Sequence, residues 1–314
     1  MGPHRVGTRA SALARRQTAE VVRLWTALDP DARIEVVEIA TAGDQLADAP
    51  LERLEGTGFF TSALETALLS GAIDLAVHSY KDLPVAATTG LTVAAVPTRG
   101  RVEDALCARD GLTLDGLPSG ARVGTSSVRR TAQVRSLRSD LDLMPLRGNV
   151  PTRLERVARG DLDAVILATA GLERLGLSTR ITEVFSFHRV LTAPAQGALA
   201  VQTRAGDRAL RAVLGRIEHP PTRRAVTAER AVLHALRGGC SVPVRAFARC
   251  VGERVALTAG VFGPDGGRAL RVEVEGNDPE ATGNDAARRL LAAGAGEILA
   301  ALKREPRLAG EGSR

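Results

Sequence analysis

The sequence predicts an α/β fold with mostly parallel sheets, arranged as two domains in series and followed by a small α+β domain. Through the first two thirds of the chain, short apolar strand-like runs alternate with helix-like segments, as they do in α/β units. After Pro220 and Pro221 the pattern changes to an amphipathic helix, a hairpin signal and a final helix. With 314 residues, 44% of them hydrophobic, the chain is long enough for two or three domains with cores of their own.

The predicted elements follow this order along the chain. In the first round, strands are predicted over 33–39, 73–78 and 91–96, and a loop followed by a helix over 51–69. In the second round, strands are predicted over 121–124, 141–146 and 164–168, helices over 127–138 and 151–159, and a helical turn over 171–175. In the last third, a helix over 223–237 precedes strands over 255–262 and 268–275, which flank a PDGG turn, and a helix over 284–302.

Composition excludes several classes of protein. No apolar run approaches the 18 residues of a membrane span, and the first thirty residues lack the apolar core of a secretory signal, so we expect a cytoplasmic protein without membrane contact. Cys107, Cys240 and Cys250 include no CxxC pair, which indicates neither a disulfide framework nor a zinc site, and no metal is expected.

The basic residues are almost all arginine, because Lys81 and Lys303 are the only lysines among 42 cations. Nine arginines fall between Arg122 and Arg159, against three acidic residues. Such a run forms either a solvated basic face or the binding surface of a polyanionic ligand, since guanidinium groups bind carboxylates and phosphates in bidentate fashion.

Polar residues follow several predicted strands, where open α/β sheets bind their ligands. HSYKDLP places Lys81 and Asp82 directly after an apolar strand, either as a solvated pair or as a proton donor beside an anion site. GTSSVRR, LRGNVPTR and TRAS each join hydroxyl or amide side chains to arginines at the start of a helix, which suits anion binding as well as plain capping.

Cys240 lies in LRGGCSVP, after a helix end and two glycines. A thiol on such a loop is either structural or a nucleophile and attachment point, and the spacing alone favours the structural role. Cys107 and Cys250 lie in apolar, strand-like surroundings and are predicted to be inert.

Taken together, the motifs resemble those of the hydroxymethylbilane synthases, also called porphobilinogen deaminases. The resemblance runs nearly end to end through TRAS, TAGD, HSYKDLP, VGTSSVRR, LRGNVPTR, AVILATAGLERLGL, APAQGALAV and ERAVLHALRGGCSVPV. It implies two α/β domains like those of type II periplasmic binding proteins, joined by a hinge, and a small C-terminal α+β domain. The implied boundaries are 1–97 with 198–216, then 103–192, then 220–305, with a disordered tail over 306–314.

The resemblance implies an enzyme that condenses four porphobilinogen molecules head to tail. Each unit loses ammonia to give an electrophilic azafulvene, which the terminal pyrrole of a covalently bound dipyrromethane cofactor or of the growing oligopyrrole chain attacks. Hydrolysis then releases hydroxymethylbilane. Every pyrrole carries an acetate and a propionate, so an arginine-lined cleft is expected.

The same resemblance implies roles for individual residues. Cys240 would carry the cofactor through a thioether, and Asp82 would be the catalytic carboxylate. Cofactor-binding roles are implied for Lys81, Thr125, Ser127, Arg129 and Arg130. Substrate-binding roles are implied for Arg9, Ser11, Arg147, Arg153, Arg174 and Gln196, with Gln196 and Arg99 at the hinge. A monomer is the expected state.

Two positions depart from the family pattern. Thr57 stands where a lysine is frequent, which removes one potential carboxylate contact, and Arg245 stands where a small residue is usual, which alters packing around the cofactor loop. Neither change affects Asp82 or Cys240, so activity is still expected.

Three other interpretations compete with assignment as a synthase. A solute-binding protein would share the two-domain cleft but would need export and would have no use for Cys240. A nucleic-acid binder would suit the basic stretch, but 3% aromatic residues leave little to stack on bases. An inactive homologue is compatible with the motifs, although Asp82 and Cys240 are both present.

Overall fold

The computed structural model describes residues 2–41, 61–237 and 242–304. The early part of the predicted 51–69 segment, Thr57, Cys240 and the 306–314 tail lie outside the described residues.

Strands and helices alternate through the described chain much as the sequence predicts. The strands are β1 (His4–Arg9), β2 (Ile34–Ile39), β3 (Leu75–Ser79), β4 (Leu91–Ala95), β5 (Asp104–Ala108), β6 (Arg122–Gly124), β7 (Asp142–Met144), β8 (Ala164–Ala168), β9 (Glu183–Val184), β10 (Leu199–Arg204), β11 (Val244–Val251), β12 (Arg254–Phe262) and β13 (Ala269–Gly276). The α-helices are α1 (Ala12–Leu28), α2 (Ser62–Leu69), α3 (Val128–Leu137), α4 (Val150–Ala158), α5 (Thr169–Arg174), α6 (Arg208–Leu214), α7 (Pro220–Ala235), α8 (Pro279–Ala292) and α9 (Ala295–Arg304).

Two five-stranded sheets share one topology. The first has the order β2-β1-β3-β10-β4 and the second the order β7-β6-β8-β5-β9. In the first sheet β1 runs parallel to β2 and β3, and in the second β6 runs parallel to β7 and β8. One antiparallel strand completes each sheet, β10 in the first and β5 in the second.

The expectation of mostly parallel sheets is confirmed, because four of the five strands in each sheet run in the same direction and only β10 and β5 are reversed. In each sheet two neighbouring pairs of strands are parallel and two are antiparallel. The reversed strands are those next to the crossings between the sheets: β5 follows the first crossing, and β10 follows the second. A strand that enters by such a crossing segment, rather than by a βαβ connection, is free to run in the opposite direction. The chain thus leaves the first sheet after β4, builds the second and returns through β10.

A third, antiparallel sheet of order β11-β12-β13 follows these two. Its apolar face packs against α7, α8 and α9 in one core, which includes Val232, Leu257, Val274 and Leu290. Two mixed α/β units and a small α+β unit are the fold class that the sequence predicts, and it is confirmed.

The C-terminal helical segment differs from its prediction. The sequence predicts one helix over 284–302, whereas the structure has two, α8 and α9, separated at Gly294. Gly294 has a φ of +97°, a conformation that ends a helix and that residues with a side chain rarely adopt. The first of the two helices also begins earlier, at Pro279, where Asp278 caps it by accepting a hydrogen bond from the Ala281 N–H.

Helices α7 and α8 approach each other closely at Gly283. A Cβ atom added there would lie 2.3 Å from the Ala228 carbonyl oxygen and 2.6 Å from the Ala231 Cβ atom. We expect Gly283→Ala to lower the free energy of unfolding by about 1–3 kcal/mol, because backbone and a methyl group must move apart. Chemical denaturation measures this, with Gly296→Ala as control, since the nearest atom to a Cβ there is 4.0 Å away. Equal stability of the two variants would contradict the close approach.

Candidate active site

The candidate site lies where the parallel strands of the two five-stranded sheets end. Each predicted motif begins at or just after such a strand end: Arg9 and Ser11 at β1, Lys81 and Asp82 after β3, Thr125 and Ser127 after β6, and Arg147 and Arg153 after β7. Ligand sites of open α/β sheets lie at these carboxyl ends.

One pocket brings together residues from three of the segments of the first sheet. Arg9 and Ser11, at the end of β1 and the start of α1, line it together with His78 and Ser79 of β3 and with Asp82. Ser11 caps α1 by accepting a hydrogen bond from the Ala14 N–H at 3.3 Å. The Asp82 carboxylate makes no hydrogen bond within the described ranges, so it is available to a ligand in this pocket.

His78 does not contribute an ionisable group to this pocket. It is buried, and its Nε2 atom lies 3.0 Å from Gln202 Oε1 on the neighbouring strand β10. Burial lowers the pKa of His78 to about 4, so the imidazole is neutral at physiological pH. Its role is structural.

Lys81 is half-buried beside Asp82 in a single 3₁₀ turn after β3. Its Nζ atom donates to Gln196 Oε1 at 3.3 Å. Burial lowers the pKa of Lys81 to about 8, while Asp82 opposes this shift and Arg130 adds to it. The pair is therefore not the solvated loop pair that the spacing alone would allow.

Gln196 connects Lys81 to a buried carboxylate of the second sheet. Its Nε2 atom donates to Asp104 Oδ1 at 2.9 Å and to the Val102 carbonyl at 2.7 Å. Asp104 is fully buried and also accepts from Arg130 Nη2 at 2.7 Å. Burial alone would raise the pKa of Asp104, but the guanidinium groups of Arg130 and Arg245 outweigh it and hold the pKa below its usual range.

Asp104 is the site residue that sequence reasoning missed. The available signal was a carboxylate at the start of the otherwise apolar strand DALCA. A charged side chain in that position is buried only when it is paired. Its partners are Arg130 on α3, Gln196 and Arg245 on β11, which lie in other segments of the chain.

The start of α3 holds a further group of predicted residues. Thr125 is buried, and its hydroxyl accepts from the Ser127 N–H at 3.3 Å. Ser127 occupies the N-cap position, but its side chain makes no capping hydrogen bond, so plain capping does not account for it. Arg129, two residues later, acts electrostatically on Lys81 and on Arg245.

The start of α4 carries Arg147 and Arg153. Asn149 caps this helix, and Arg153 Nε donates to the Gly148 carbonyl at 2.8 Å. Burial, together with the positive charges of Arg130 and Arg147, lowers the pKa of Arg153 to about 10. The Nη2 atom of Arg147 is buried, yet it has no hydrogen-bond partner among the described residues. Several cations thus meet here without enough anions to pair them.

Arg174 and Arg99 are held by carboxylates of the protein itself. Arg174 Nε donates to Glu20 Oε2 at 2.8 Å and its Nη2 to the Gly197 carbonyl at 3.1 Å. Arg99 forms a bidentate pair with buried Glu229 at 2.7 and 2.9 Å, and its Nε donates to the Gln196 carbonyl at 2.7 Å. These contacts join the segments that cross between the two sheets, so the substrate-binding role of Arg174 stays a prediction.

The two cysteines that the structure describes have no place in this cluster. Cys107 lies buried in β5, and burial raises the pKa of its thiol to about 11. Cys250, on β11, has its Sγ atom 3.3 Å from the Pro221 carbonyl oxygen. Both environments agree with the prediction that these thiols are inert.

The arrangement favours binding of a molecule with several carboxylates. Arg9 lines the pocket of Asp82, and the charge of Asp82 also acts on Lys81 and on Arg153 of the second sheet. Arg147, whose charge acts on Arg153, has a buried Nη2 atom without a hydrogen-bond partner among the described residues. A carboxylate among such cations can also stabilise positive charge that develops on a bound ligand.

The two lysines of the chain allow the charge state of Lys81 to be measured directly. We expect isotope-labelled lysine to give one NMR side-chain signal that titrates near pH 8, because desolvation disfavours the ammonium form of Lys81. This signal should vanish in Lys81→Met and persist in Lys303→Arg. Two signals that both titrate above about pH 10 would contradict the buried environment.

The lowered pKa of Lys81 also makes the free energy of unfolding depend on pH. The folded pKa of Lys81 lies below the ordinary 10.5, so the unfolded chain binds more protons between about pH 8 and 10.5. The contribution of this site to stability therefore increases as the pH rises through that window, and the ammonium predominates at pH 7.

Within the described part of the chain, no helix has the length and apolar character that crossing a bilayer requires.

Comparison with known proteins gives the family. Residues 4–212 match the family model "Porphobilinogen deaminase, dipyromethane cofactor binding domain", and residues 223–292 match "Porphobilinogen deaminase, C-terminal domain". The porphobilinogen deaminase of Brevibacillus brevis is 44% identical over 307 residues, which cover 97% of this chain and 99% of the relative. That of Thermobifida fusca is 50% identical over 274 residues, covering 86% and 85%.

Among solved structures, the periplasmic aliphatic sulphonate binding protein of Escherichia coli aligns with a TM-score of 0.39 at 18% identity, over 75% of this chain and 70% of that one. This TM-score is below 0.5, so the fold is assigned from the strand order of the sheets and not from this similarity. The two family models and the identity over nearly the whole length carry the assignment. This chain belongs to the porphobilinogen deaminase family.

Proposed function

We propose that this chain is a transferase that condenses four porphobilinogen molecules head to tail, with loss of ammonia, and releases hydroxymethylbilane by hydrolysis. The reaction starts on a dipyrromethane cofactor and belongs to tetrapyrrole biosynthesis. The observation that carries this proposal is the group of cations that act on Asp82 at the strand ends, namely Arg9, Lys81 and Arg153, in a chain whose residues 4–212 match the cofactor-binding family model.

The residues present fit a cofactor with several carboxylates. Arg147 Nη2 is buried without a hydrogen-bond partner in the described ranges, and desolvated guanidinium groups of this kind require an anion. Lys81, Thr125, Ser127, Arg129 and Arg130 would hold the carboxylates of the cofactor, and the Cys240 thiol would bind it covalently. When bound, the dipyrromethane supplies the free α-carbon of its terminal pyrrole as the nucleophile.

The substrate carries one acetate and one propionate, and arginines on both sheets can receive them. Arg9 and Ser11 reach the pocket from the first sheet, and Arg147 and Arg153 lie on the second. The Lys81 ammonium and Gln196 lie between these groups and bridge the two sheets through Asp104. The binding energy of the carboxylates then orients the reacting carbon toward Asp82.

Asp82 would act on the pyrrole nitrogen of the substrate. Its carboxylate lines the pocket and is unused by the described part of the chain, so it can accept a pyrrole N–H. As ammonia leaves, positive charge develops on that ring, and the carboxylate stabilises it. After the new carbon–carbon bond has formed, the same group can accept the proton that the pyrrole carbon loses.

The proposal includes the organisation of the whole molecule. Two α/β domains, 1–97 with 198–216 and 103–192, would close on the oligopyrrole about a hinge at Arg99 and Gln196, while 220–305 carries the cofactor. The ion pair of Arg99 with Glu229 of α7 supports a hinge that the third unit also contacts. We further propose a monomer that acts in the cytoplasm, without nucleic acid or membrane as a partner.

Intact mass and turnover together test this function. The purified protein should carry the mass of two deaminated pyrrole units and should convert porphobilinogen to hydroxymethylbilane, read as the uroporphyrin that forms from it in acid. An unmodified chain should gain this mass on incubation with porphobilinogen or preformed hydroxymethylbilane. A chain that never gains it, and releases no tetrapyrrole, would contradict the proposal.

A further inference from the structure

A buried arginine of the third sheet, Arg245, reaches the carboxylate of Asp104. Arg245 is the second residue of β11, its side chain is 1% exposed, and its Nη1 atom lies 3.5 Å from Asp104 Oδ2. Its Nε and Nη2 atoms are buried as well, but neither has a hydrogen-bond partner within residues 2–41, 61–237 and 242–304. One edge of this guanidinium is therefore desolvated and unused.

The charges around Arg245 do not balance. Asp104 Oδ1 accepts from Arg130 at 2.7 Å and from Gln196 at 2.9 Å, while Oδ2 faces Arg245 without a hydrogen bond among the described residues. One buried carboxylate therefore faces two buried guanidinium groups. Burial lowers the pKa of Arg245 to about 9, and Asp104 opposes this shift, so the side chain is charged at neutral pH. Buried charged groups in proteins are almost always paired and hydrogen-bonded, whereas the Nε and Nη2 atoms of Arg245 have no hydrogen-bond partner among the described residues.

The position of Arg245 connects it to the proposed cofactor site. Contacts run from Arg245 through Asp104 and Gln196 to Lys81, which adjoins Asp82. Arg129, one of the proposed cofactor ligands, acts electrostatically on Arg245. In the sequence Arg245 follows Cys240 by five residues, so a group attached to that thiol remains within reach of this part of the chain.

We propose that Arg245 is a further carboxylate-binding residue, which donates its Nε and Nη2 hydrogens to an acetate or propionate group of the bound dipyrromethane. The Nε–Nη2 edge of a guanidinium presents two parallel N–H groups, the geometry that a carboxylate accepts in bidentate fashion. The loaded protein thereby gains the anion that the cluster lacks. This inference rests on the proposed function.

A purely structural role makes a different prediction. If Arg245 only joined the third sheet to the second through Asp104, its removal would lower stability equally with and without the cofactor. If it binds the cofactor, its removal reduces the stabilisation that the cofactor provides. The informative quantity is therefore the difference in Tm between loaded and unloaded protein, measured for each variant.

The experiment compares wild type with Arg245→Met, which keeps the length of the side chain and removes its charge. Each is measured as the loaded protein, verified by intact mass, and with Cys240→Ala, which removes the attachment thiol. We expect the Tm gain on loading to fall by about 5 °C in Arg245→Met, as for the loss of a charge-assisted hydrogen bond. Arg138→Met is the matched control, because the Arg138 guanidinium already donates hydrogen bonds to the Asp140 carboxylate and to the Leu114 and Leu117 carbonyls.

The outcomes separate the two proposals. An unchanged gain in Arg138→Met with a smaller gain in Arg245→Met supports the assignment. An unchanged gain in Arg245→Met overturns it and leaves the proposed function intact, whereas a wild type that never acquires the two pyrrole units overturns both. Should Arg245→Met not fold, Arg245→Lys retains the charge without the bidentate edge, and an unchanged gain there overturns the assignment as well.

Discussion

Replacing Asp82 by asparagine is expected to lower kcat for porphobilinogen turnover by about 10³-fold, as is typical when a charge-stabilising group is lost from an active site. The carboxamide is nearly isosteric with the carboxylate, but it carries no negative charge to stabilise the cationic ring. The 3₁₀ turn and the neighbouring Lys81 have no hydrogen bond to the carboxylate in the described structure, so the fold should be unaffected. Single-turnover kinetics measure the chemical step directly.

The control for this substitution is Asp31→Asn, which makes the same chemical change at an exposed position between α1 and β2. Its turnover should match that of wild type. The Asp82→Asn protein should also show an unchanged Tm and the full mass of the cofactor. An Asp82→Asn enzyme that retains more than about a tenth of wild-type kcat would remove Asp82 from the mechanism.

Cys240→Ala should abolish both cofactor attachment and turnover. The thioether needs a sulfur nucleophile, and no neighbouring thiol can replace it, because Cys107 is buried in β5 with a raised pKa and Cys250 lies on β11 against Pro221. Intact mass should show the bare polypeptide, without the two pyrrole units. Turnover should fall to background, since the first condensation has no primer to extend.

Cys250→Ala is the matched control, since it removes a thiol from the same small α+β unit. It should retain the added mass and normal turnover. If the added mass disappeared from Cys250→Ala and persisted in Cys240→Ala, the attachment site would have been assigned to the wrong thiol.

The parts of the fold that depend on local pattern could be predicted from the sequence. The strand predicted over 164–168 is β8, residue for residue, and the helix predicted over 127–138 is α3 within one residue at each end. Continuous apolar runs mark buried strands, and capping residues mark helix starts, so both signals lie within a few residues of the element.

Features that depend on distant partners could not be predicted in this way. The direction of β10 follows from its pairing with β3, which joins residues more than a hundred positions apart. The burial of Asp104 is possible only because Arg130 and Gln196 meet it from other segments. The ion pair that occupies Arg174 likewise depends on Glu20, 154 positions earlier.

The candidate site, too, could be predicted only in part from local sequence patterns. The motifs at the strand ends indicated which residues would meet, and the structure brings Arg9, Ser11 and Asp82 into one pocket. The sequence did not reveal how many cations would share each carboxylate. That balance is a property of the assembled cluster, and it is the property on which the role of Arg245 depends.

Because β10 comes late in the chain, the two five-stranded sheets differ in when they can fold during translation. The first sheet stays incomplete until residue 204 has been synthesised, because β4 pairs with β10 and is separated by it from β3. The second sheet, from Asp104 to Val184, is complete some twenty residues earlier, and all its strands are contiguous in the chain. During translation, which adds about 5–20 residues per second, the middle of the chain can therefore acquire its native pairing before the beginning does. During this interval the edges of β3 and β4 that later pair with β10 have no partner strand. Unpaired strand edges promote aggregation, so we expect a chaperone to bind the nascent chain at this stage.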